Sequence, residues 1–139
     1  MTPEKMAKLH SNSEANHRIW SANEFAEILS SNGVFAECHE HGFALVRVIA
    51  SEAELLLLVT DKIKQNTGLA TNCLLKIEKK IVENGARKLT LEVSESNKTA
   101  IKVYKKLNYK KVSVRKSYSR DKNGKLENAL VMQKDLLLI

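Results

Sequence analysis

The sequence is poor in the features that mark secreted, membrane or metal-binding chains. Its two cysteines, Cys38 and Cys73, lie far apart with no CxxC or CxxH spacing, so neither a disulfide framework nor a zinc site is expected. No apolar run approaches the roughly 20 residues that a membrane-spanning helix needs. The first five residues have no apolar stretch of the kind that signal peptides carry. The expectation is a reduced, cytoplasmic protein that does not associate with membranes.

Proline and glycine are also scarce. One Pro and five Gly among 139 residues argue against a disordered or fibrous chain. A hydrophobic fraction of 43% is enough for one buried core, and no linker or repeat divides the chain. Residues 1–139 are therefore interpreted as a single domain.

The charge is strongly positive and the aromatic content is low. A net charge of +7 and a pI near 9.4 fit an anionic partner, but they fit a lysine-rich solvated surface equally well. Three Phe, three Tyr and one Trp are not interleaved with the basic residues in the way that stacks bases. Nucleic acid is therefore not expected as a partner on charge alone.

The hydrophobic pattern predicts the element order ααβββαβαββ, which is an α/β domain with a mixed sheet. Helix starts are indicated at residues 2–4 and by a capping box at residues 21–24. The continuous apolar run at 54–60 is typical of a strand covered on both faces. His10 and His17 are interpreted as surface residues. The predicted strands are 34–39, 43–50, 54–60, 88–93, 110–118 and 126–134, and the later helices are 67–83 and 98–107.

A glycine-containing turn lies between the strand at 54–60 and the helix that follows it. Backbone N–H groups at a helix start are unpaired and carry partial positive charge, so they bind phosphate well. Gly68 permits close approach of a ligand to the backbone, and Ala70 keeps the first turn slim. The same pattern is often an ordinary loop, but its position after a buried strand favours phosphate binding. The candidate residues are Gln65, Asn66, Thr67, Gly68, Leu69, Ala70 and Thr71.

The next strand and helix place polar side chains near the same edge of the sheet. Glu92 lies on the opposite face from its apolar neighbours, near the carboxyl end of its strand, where open α/β sheets bind ligands. One carboxylate can act as a base towards an amine, whereas the alternative is a plain surface Glu. Asn97 fits a helix cap as well as a ligand contact. Tyr104 fits the core as well as a proton donor.

These segments resemble the GNAT family of N-acetyltransferases. The turn matches the family pattern (Gln/Arg)-x-x-Gly-x-(Gly/Ala), and residues 91–104 resemble the strand and helix of the RimI-like members, which acetylate the N-terminal amine of a ribosomal protein. Matching segments at 20–25, 52–53, 115–118 and 127–132 extend the likeness over most of residues 20–132. The resemblance implies a GNAT fold with helices flanking a mixed central sheet, acetyl-CoA as co-substrate without a metal, and the N terminus of a ribosomal protein as acceptor.

The resemblance also implies roles for single residues. Glu92 would be the general base and Tyr104 the general acid towards CoA, with direct attack by the amine and no acyl-enzyme. Asn97 would contact the pantetheine arm. Trp20 and Tyr118 would line the acceptor groove. The backbone that would bind the pantetheine arm belongs to Leu58, Val59 and Thr60.

Several positions depart from the family pattern. Ser119 and Asn128 replace Tyr and Asp in the acceptor-groove segments, which leaves the acceptor open. Asn108 replaces a helix-ending Gly, and Asn tolerates the same left-handed conformation. Because the chain begins at a predicted helix, the family's first strand has no counterpart here; either an edge strand is missing or the true start lies upstream.

Two other functions stay open, and the expected assembly is a monomer or a weak dimer. One alternative is a GNAT enzyme that acetylates a lysine or a small amine. The other is a basic, ribosome- or RNA-associated module that kept the fold and lost turnover.

Overall fold

Short capping patterns fix the starts of the first two helices. Thr2 accepts a hydrogen bond from the Lys5 backbone N–H, and the proline that follows Thr2 occupies the first turn, where its missing N–H costs nothing. Ser21 and Glu24 form a capping box in which each side chain accepts from the other residue's backbone N–H. Both predicted helix starts are confirmed.

The computed structural model describes residues 1–13, 19–120 and 123–136, without the side chain of Ser119. His17 and residues 121–122 of the predicted last turn lie outside the described residues. Within them the predicted element order is confirmed. The elements are α1 Pro3–Ser11, α2 Ala22–Leu29, β1 Val34–His39, β2 Gly42–Ile49, β3 Glu52–Thr60, α3 Leu69–Glu83, β4 Lys88–Ser94, α4 Lys98–Lys106, β5 Lys110–Arg120 and β6 Leu126–Asp135, with a short 3-10 turn at Lys62–Lys64.

Six strands form one mixed sheet in the order β1-β2-β3-β4-β6-β5. All neighbouring strands are antiparallel except β3 and β4, which are parallel. The parallel pairing covers only Glu52↔Lys88 to Glu54↔Thr90. Beyond these residues the two strands separate, which opens a cleft in the middle of the sheet at their carboxyl ends.

The core has two parts, one on each face of the sheet. Helices α3 and α4 cover one face along β2, β3, β4 and β6, and α1 and α2 cover the other face over β1 to β3. A register shift between β2 and β3 beside Leu45 lets side chains of β3 enter both parts. Leu55 is buried on the α3 side and Leu57 on the α1 side, so the predicted two-sided strand is confirmed for its apolar residues, whereas Glu54 at its start is exposed.

The interpretation of His10 as a surface residue is wrong. Its side chain is 0% exposed, and its Nδ1 accepts a 3.1 Å hydrogen bond from the backbone N–H of Trp20. The rings of Trp20 and Phe25 pack against the imidazole edge-on. This contact joins residues ten positions apart, and no local sequence pattern indicates it.

Asn108 ends α4 in the left-handed conformation that the sequence predicts, with φ of 73°. The Tyr109 backbone N–H then donates to the carbonyl of Tyr104 at 2.9 Å. The chain therefore turns directly from α4 into β5, and the side chain of Tyr109 enters the core.

Candidate active site

Side chains fix the turn between β3 and α3. Gln65 Nε2 donates a 3.2 Å hydrogen bond to the carbonyl of Thr60 at the end of β3. The Thr67 hydroxyl donates to the carbonyl of Lys64 within the turn. The predicted start of α3 at residue 67 moves to Leu69, because Gly68 forms the N-cap.

The N terminus of α3 is prepared for an anion. Gly68 has φ of 86° and supplies no side-chain cap to this 15-residue helix. Among the described residues, no acceptor pairs with the backbone N–H groups of residues 66–71. A Cβ on Gly68 would meet no atom within 4 Å, so the positive φ rather than lack of space requires glycine here. Asn66 also has positive φ, at 63°. These unpaired donors fit a phosphate group.

The edge of β3 that faces β4 is open near its carboxyl end. Leu58, Val59 and Thr60 pair with β2 on one side, at Ala44, Phe43 and Gly42. The pairing with β4 has already ended at Glu54. The backbone of these three residues therefore borders the cleft, as an extended ligand that completes the sheet edge would require.

Glu92 lies on the exposed face of β4, as predicted, and it has a partner. Its Oε1 accepts a 2.7 Å hydrogen bond from Nη1 of Arg115 on β5. This contact raises the pKa of the Arg115 guanidinium above its usual value. Among the described residues none hydrogen bonds Oε2, so that oxygen is available to a ligand. A cleft of about 460 Å³ at this face is lined by Arg47, Ile49, Glu52, Ala53, Glu54, Thr90, Leu91 and Glu92.

Tyr118 is 51% exposed on β5, and it does not itself line this cleft. Its ring stacks against the Arg115 guanidinium, with 3.7 Å between the guanidinium carbon and the ring centroid. A bulge in β5 lies between Arg115 and residue 119, and Ser117 within it has φ of 51°. The Ser117 N–H donates to Oδ1 of Asn128 at 3.0 Å, so Asn128 holds the bulge that presents Tyr118.

Tyr104 lies on α4 and Asn97 is its N-cap, and neither residue lines the cleft at Glu92. Asn97 caps the helix by accepting from the Ala100 N–H at 3.2 Å. Tyr104 is 7% exposed, and burial raises the pKa of its phenol. Its ring packs edge-to-face on Tyr109 with 5.8 Å between centroids. Because this pKa is raised, the hydroxyl is protonated at neutral pH. No described residue hydrogen bonds the hydroxyl, so it is available to a ligand.

Trp20 is not brought to the same cleft. It lines a separate cavity of about 320 Å³ with residues of α2 and with Ser31, and that cavity shares no lining residue with the cleft at Glu92. Its ring packs on His10 and Phe25. Its role in an acceptor groove stays a prediction.

Sequence reasoning missed two contacts at the site and one in the core beside it. The contact between Arg115 and Glu92 crosses β6, and no local pattern indicates it. The pair formed by Glu95 and Asn128 joins the end of β4 to β6 through backbone N–H groups, at 3.0 and 3.2 Å. Glu78 was detectable, because it falls on the apolar face of α3, where a charged residue needs a partner.

The described residues include neither a metal-binding cluster nor a membrane-spanning helix. No group of three or more His, Cys, Asp or Glu side chains is arranged to hold a metal ion. No described helix has the length and apolar character needed to cross a membrane. Cys38 is exposed and Cys73 is buried, and both thiols are free.

The sequence matches known proteins over most of its length. A family model described as FR47-like protein matches residues 33–118. The ribosomal protein bS18-alanine N-acetyltransferase of Haemophilus ducreyi is 32% identical over 90 residues, which is 65% of this chain and 62% of that enzyme. This alignment therefore spans less than two thirds of that relative. The Escherichia coli K12 enzyme of the same name is 27% identical over 135 residues, or 94% of this chain and 90% of the enzyme.

Solved structures share the fold. The ribosomal-protein-S18-alanine N-acetyltransferase of Escherichia coli superposes with a TM-score of 0.87 at 23% identity, covering 99% of this chain and 89% of that one. Arabidopsis thaliana NAA60 in complex with acetyl-CoA superposes with a TM-score of 0.80 at 13% identity, covering 97% and 95%. The predicted GNAT fold is confirmed by these neighbours.

Proposed function

Since the chain belongs to the FR47-like family and has the fold of the GNAT N-acetyltransferases, we propose that it transfers the acetyl group of acetyl-CoA to the N-terminal α-amine of a protein, and that this protein is ribosomal. The observation that carries the proposal is the 27% identity over 94% of the chain to an enzyme named for alanine N-acetylation of ribosomal protein bS18. The position of Glu92 at the cleft adds a chemical argument. Cytoplasmic location and a monomeric or weakly dimeric state belong to the same proposal.

Acetyl-CoA fits the open edge of the sheet. The unpaired N–H groups at the start of α3, from Asn66 to Thr71, are suited to its phosphates. The open backbone of Leu58 to Thr60 is suited to the amides of its pantetheine arm. Asn97 caps α4 with its Oδ1, so only its Nδ2 is left for the ligand.

Acetyl-CoA supplies an activated acetyl group, and the chain supplies the proton transfers. An α-amine has a pKa near 8, so roughly a tenth is neutral at pH 7, against well under one in a thousand for a lysine. Glu92 takes a proton from the attacking amine, directly or through a water. The new amide bond forms as the C–S bond breaks. Tyr104, which burial keeps protonated, gives its proton to the departing sulfur.

The test uses peptides that differ in one amine. The protein is incubated with acetyl-CoA and a peptide with an N-terminal alanine and one lysine, and the mass and the acetylated position are read by mass spectrometry. The matched control peptide carries a blocked α-amine and the same lysine. We expect one acetyl group on the free α-amine and none on the control.

Each alternative gives a different result. Acetylation of the blocked peptide on its lysine would show that the protein is an acetyltransferase whose acceptor is a lysine amine rather than an α-amine. No turnover and no thermal shift with acetyl-CoA, together with RNA binding that weakens as salt rises, would identify a non-catalytic basic module.

A further inference from the structure

Arg115 contacts two residues that the proposed function places in the site. Its Nη1 donates to Oε1 of Glu92 at 2.7 Å, and its guanidinium carbon lies 3.7 Å from the ring centroid of Tyr118. Glu92 lines the 460 Å³ cleft, and Arg115 lies on the same face of the sheet, because Val131 and Ala129, their partners on β6, are two positions apart. The guanidinium therefore occupies one side of the Glu92 carboxylate and leaves Oε2 to an incoming amine.

The backbone holds Arg115 in this place. Arg115 pairs with Ala129 on β6 immediately before the bulge of β5, and Glu92 pairs with Val131 on the other side of β6. One strand thus separates the two charged side chains, and they meet across it. The planar guanidinium can stack and donate at the same time, which a lysine amine at the same position could not do.

The positive charge of Arg115, 2.7 Å from Oε1 of Glu92, affects whether the acceptor amine binds as an ammonium or as a neutral amine. An ammonium group approaching Oε2 would meet the positive charge of Arg115, whereas a neutral amine would not. The repulsion lowers the pKa of the bound amine, and the neutral, nucleophilic form is reached at lower pH. The other charged groups on this face include Arg47, Glu52 and Glu54 in the cleft, Lys88 at the start of β4, Lys110 on β5, and Glu127 and Asp135 on β6.

We infer that Arg115 is a positioning and specificity-determining residue that holds Oε1 of Glu92 and, through its charge, selects the neutral form of the acceptor amine. The inference rests on the proposed function, because it assigns a role towards the amine that function requires. It separates two properties of Arg115, its charge and its planar geometry, and these can be tested separately.

The experiment measures single-turnover rates against pH, with acetyl-CoA prebound and peptide saturating. Arg115→Gln removes the charge, and Arg115→Lys keeps the charge but cannot stack and donate together. Lys111→Gln is the matched control, because Lys111 pairs with the buried Met132 and so lies on the opposite face of the same strand. The readout is the pH at which the rate falls on the acid side of the profile, called here the acid limb. Loss of a purely structural role would lower the rate without shifting this pH.

The expected result is specific to Arg115→Gln. Its acid limb moves up by about one pH unit, so the rate below the limb falls about tenfold relative to wild type. The shift shrinks in high salt, because exposed charges are screened. In Arg115→Lys the acid limb stays at the wild-type pH, but the maximal rate on the plateau is lower. Lys111→Gln leaves the whole profile unchanged.

Two outcomes overturn the inference. An unmoved limb in Arg115→Gln, or an equal shift in Lys111→Gln, removes the assigned role and leaves the proposed function standing. Absence of turnover in the wild-type protein with every amine overturns the proposed function and this inference with it.

Discussion

The hydroxyl of Tyr109 donates a 2.7 Å hydrogen bond to Oε2 of Glu78 in the core. Lys134 Nζ donates to the other oxygen of the same carboxylate, also at 2.7 Å. Glu78 is 8% exposed and Tyr109 is 2% exposed, so these polar groups are held by one another rather than by water. The network joins α3, the end of α4 and β6 directly beside Tyr104.

Lys134→Met should destabilise the protein by about 3 kcal/mol, because it leaves the Glu78 carboxylate buried without its counter-ion. The triple variant Glu78→Leu, Lys134→Met and Tyr109→Phe should recover most of this loss, since apolar groups then replace all three polar side chains of the network. The free energy of unfolding from urea titration measures both. A triple variant as unstable as the single one would show that these three side chains do not act as a unit.

Stability should fall at high pH through the two buried tyrosines. Burial raises the pKa of Tyr104, and burial with the nearby Glu78 raises that of Tyr109. Their protonated forms are favoured by folding, so the unfolded chain loses these protons first, near pH 10. The free energy of unfolding should decrease above that pH by up to about 1.4 kcal/mol per unit for each residue. Tyr109→Phe should flatten the dependence, and Tyr118→Phe on the exposed strand β5 is the control.

Glu92→Gln and Tyr104→Phe should each lower kcat by about 10²-fold or more, as removal of a general base or acid does. Tyr109→Phe removes a hydroxyl from the same part of the core and should lower kcat far less. Glu83→Gln on the exposed end of α3 is the control for loss of a carboxylate. Steady-state rates with saturating acetyl-CoA and peptide measure kcat for each variant. Wild-type rates in both site variants would refute the assigned roles.

Gly68→Ala should weaken acetyl-CoA binding beyond its effect on stability. Gly68 and Gly85 both have positive φ, and an added Cβ at either would meet no atom within 4 Å. Alanine at either position should therefore cost about 1–2 kcal/mol of stability through backbone strain alone. Only Gly68→Ala should raise the KM for acetyl-CoA, because only that turn opens α3. An equal rise in the KM for acetyl-CoA in Gly85→Ala would show that the Gly68 turn has no specific role in cofactor binding.

The periodic elements and the phosphate turn were predictable from sequence because their signals are local. Capping at residue 21, the apolar strand at 54–60 and the glycine before α3 each require only a few neighbouring residues. The partners of the site residues were not predictable, since they meet across strands. Arg115 contacts Glu92 from 23 positions away, and Trp20 contacts His10 from 10 positions away. Side-chain pairing of this kind is fixed by sheet order and register.

Asn128 should control acceptor binding through the shape of the β5 bulge. Its Oδ1 accepts from the Ser117 N–H, and its own backbone N–H donates to Oε1 of Glu95. Asn128→Ala removes the acceptor for Ser117, so the bulge that presents Tyr118 loses its support, and the KM for the peptide should rise about fivefold or more while the KM for acetyl-CoA stays constant. Asn128→Asp keeps an acceptor oxygen at the same place and should restore the peptide KM. Equal peptide KM values for Asn128→Ala and wild type would mean that the bulge does not shape the acceptor groove, and a rise in both KM values would indicate a general loss of structure instead.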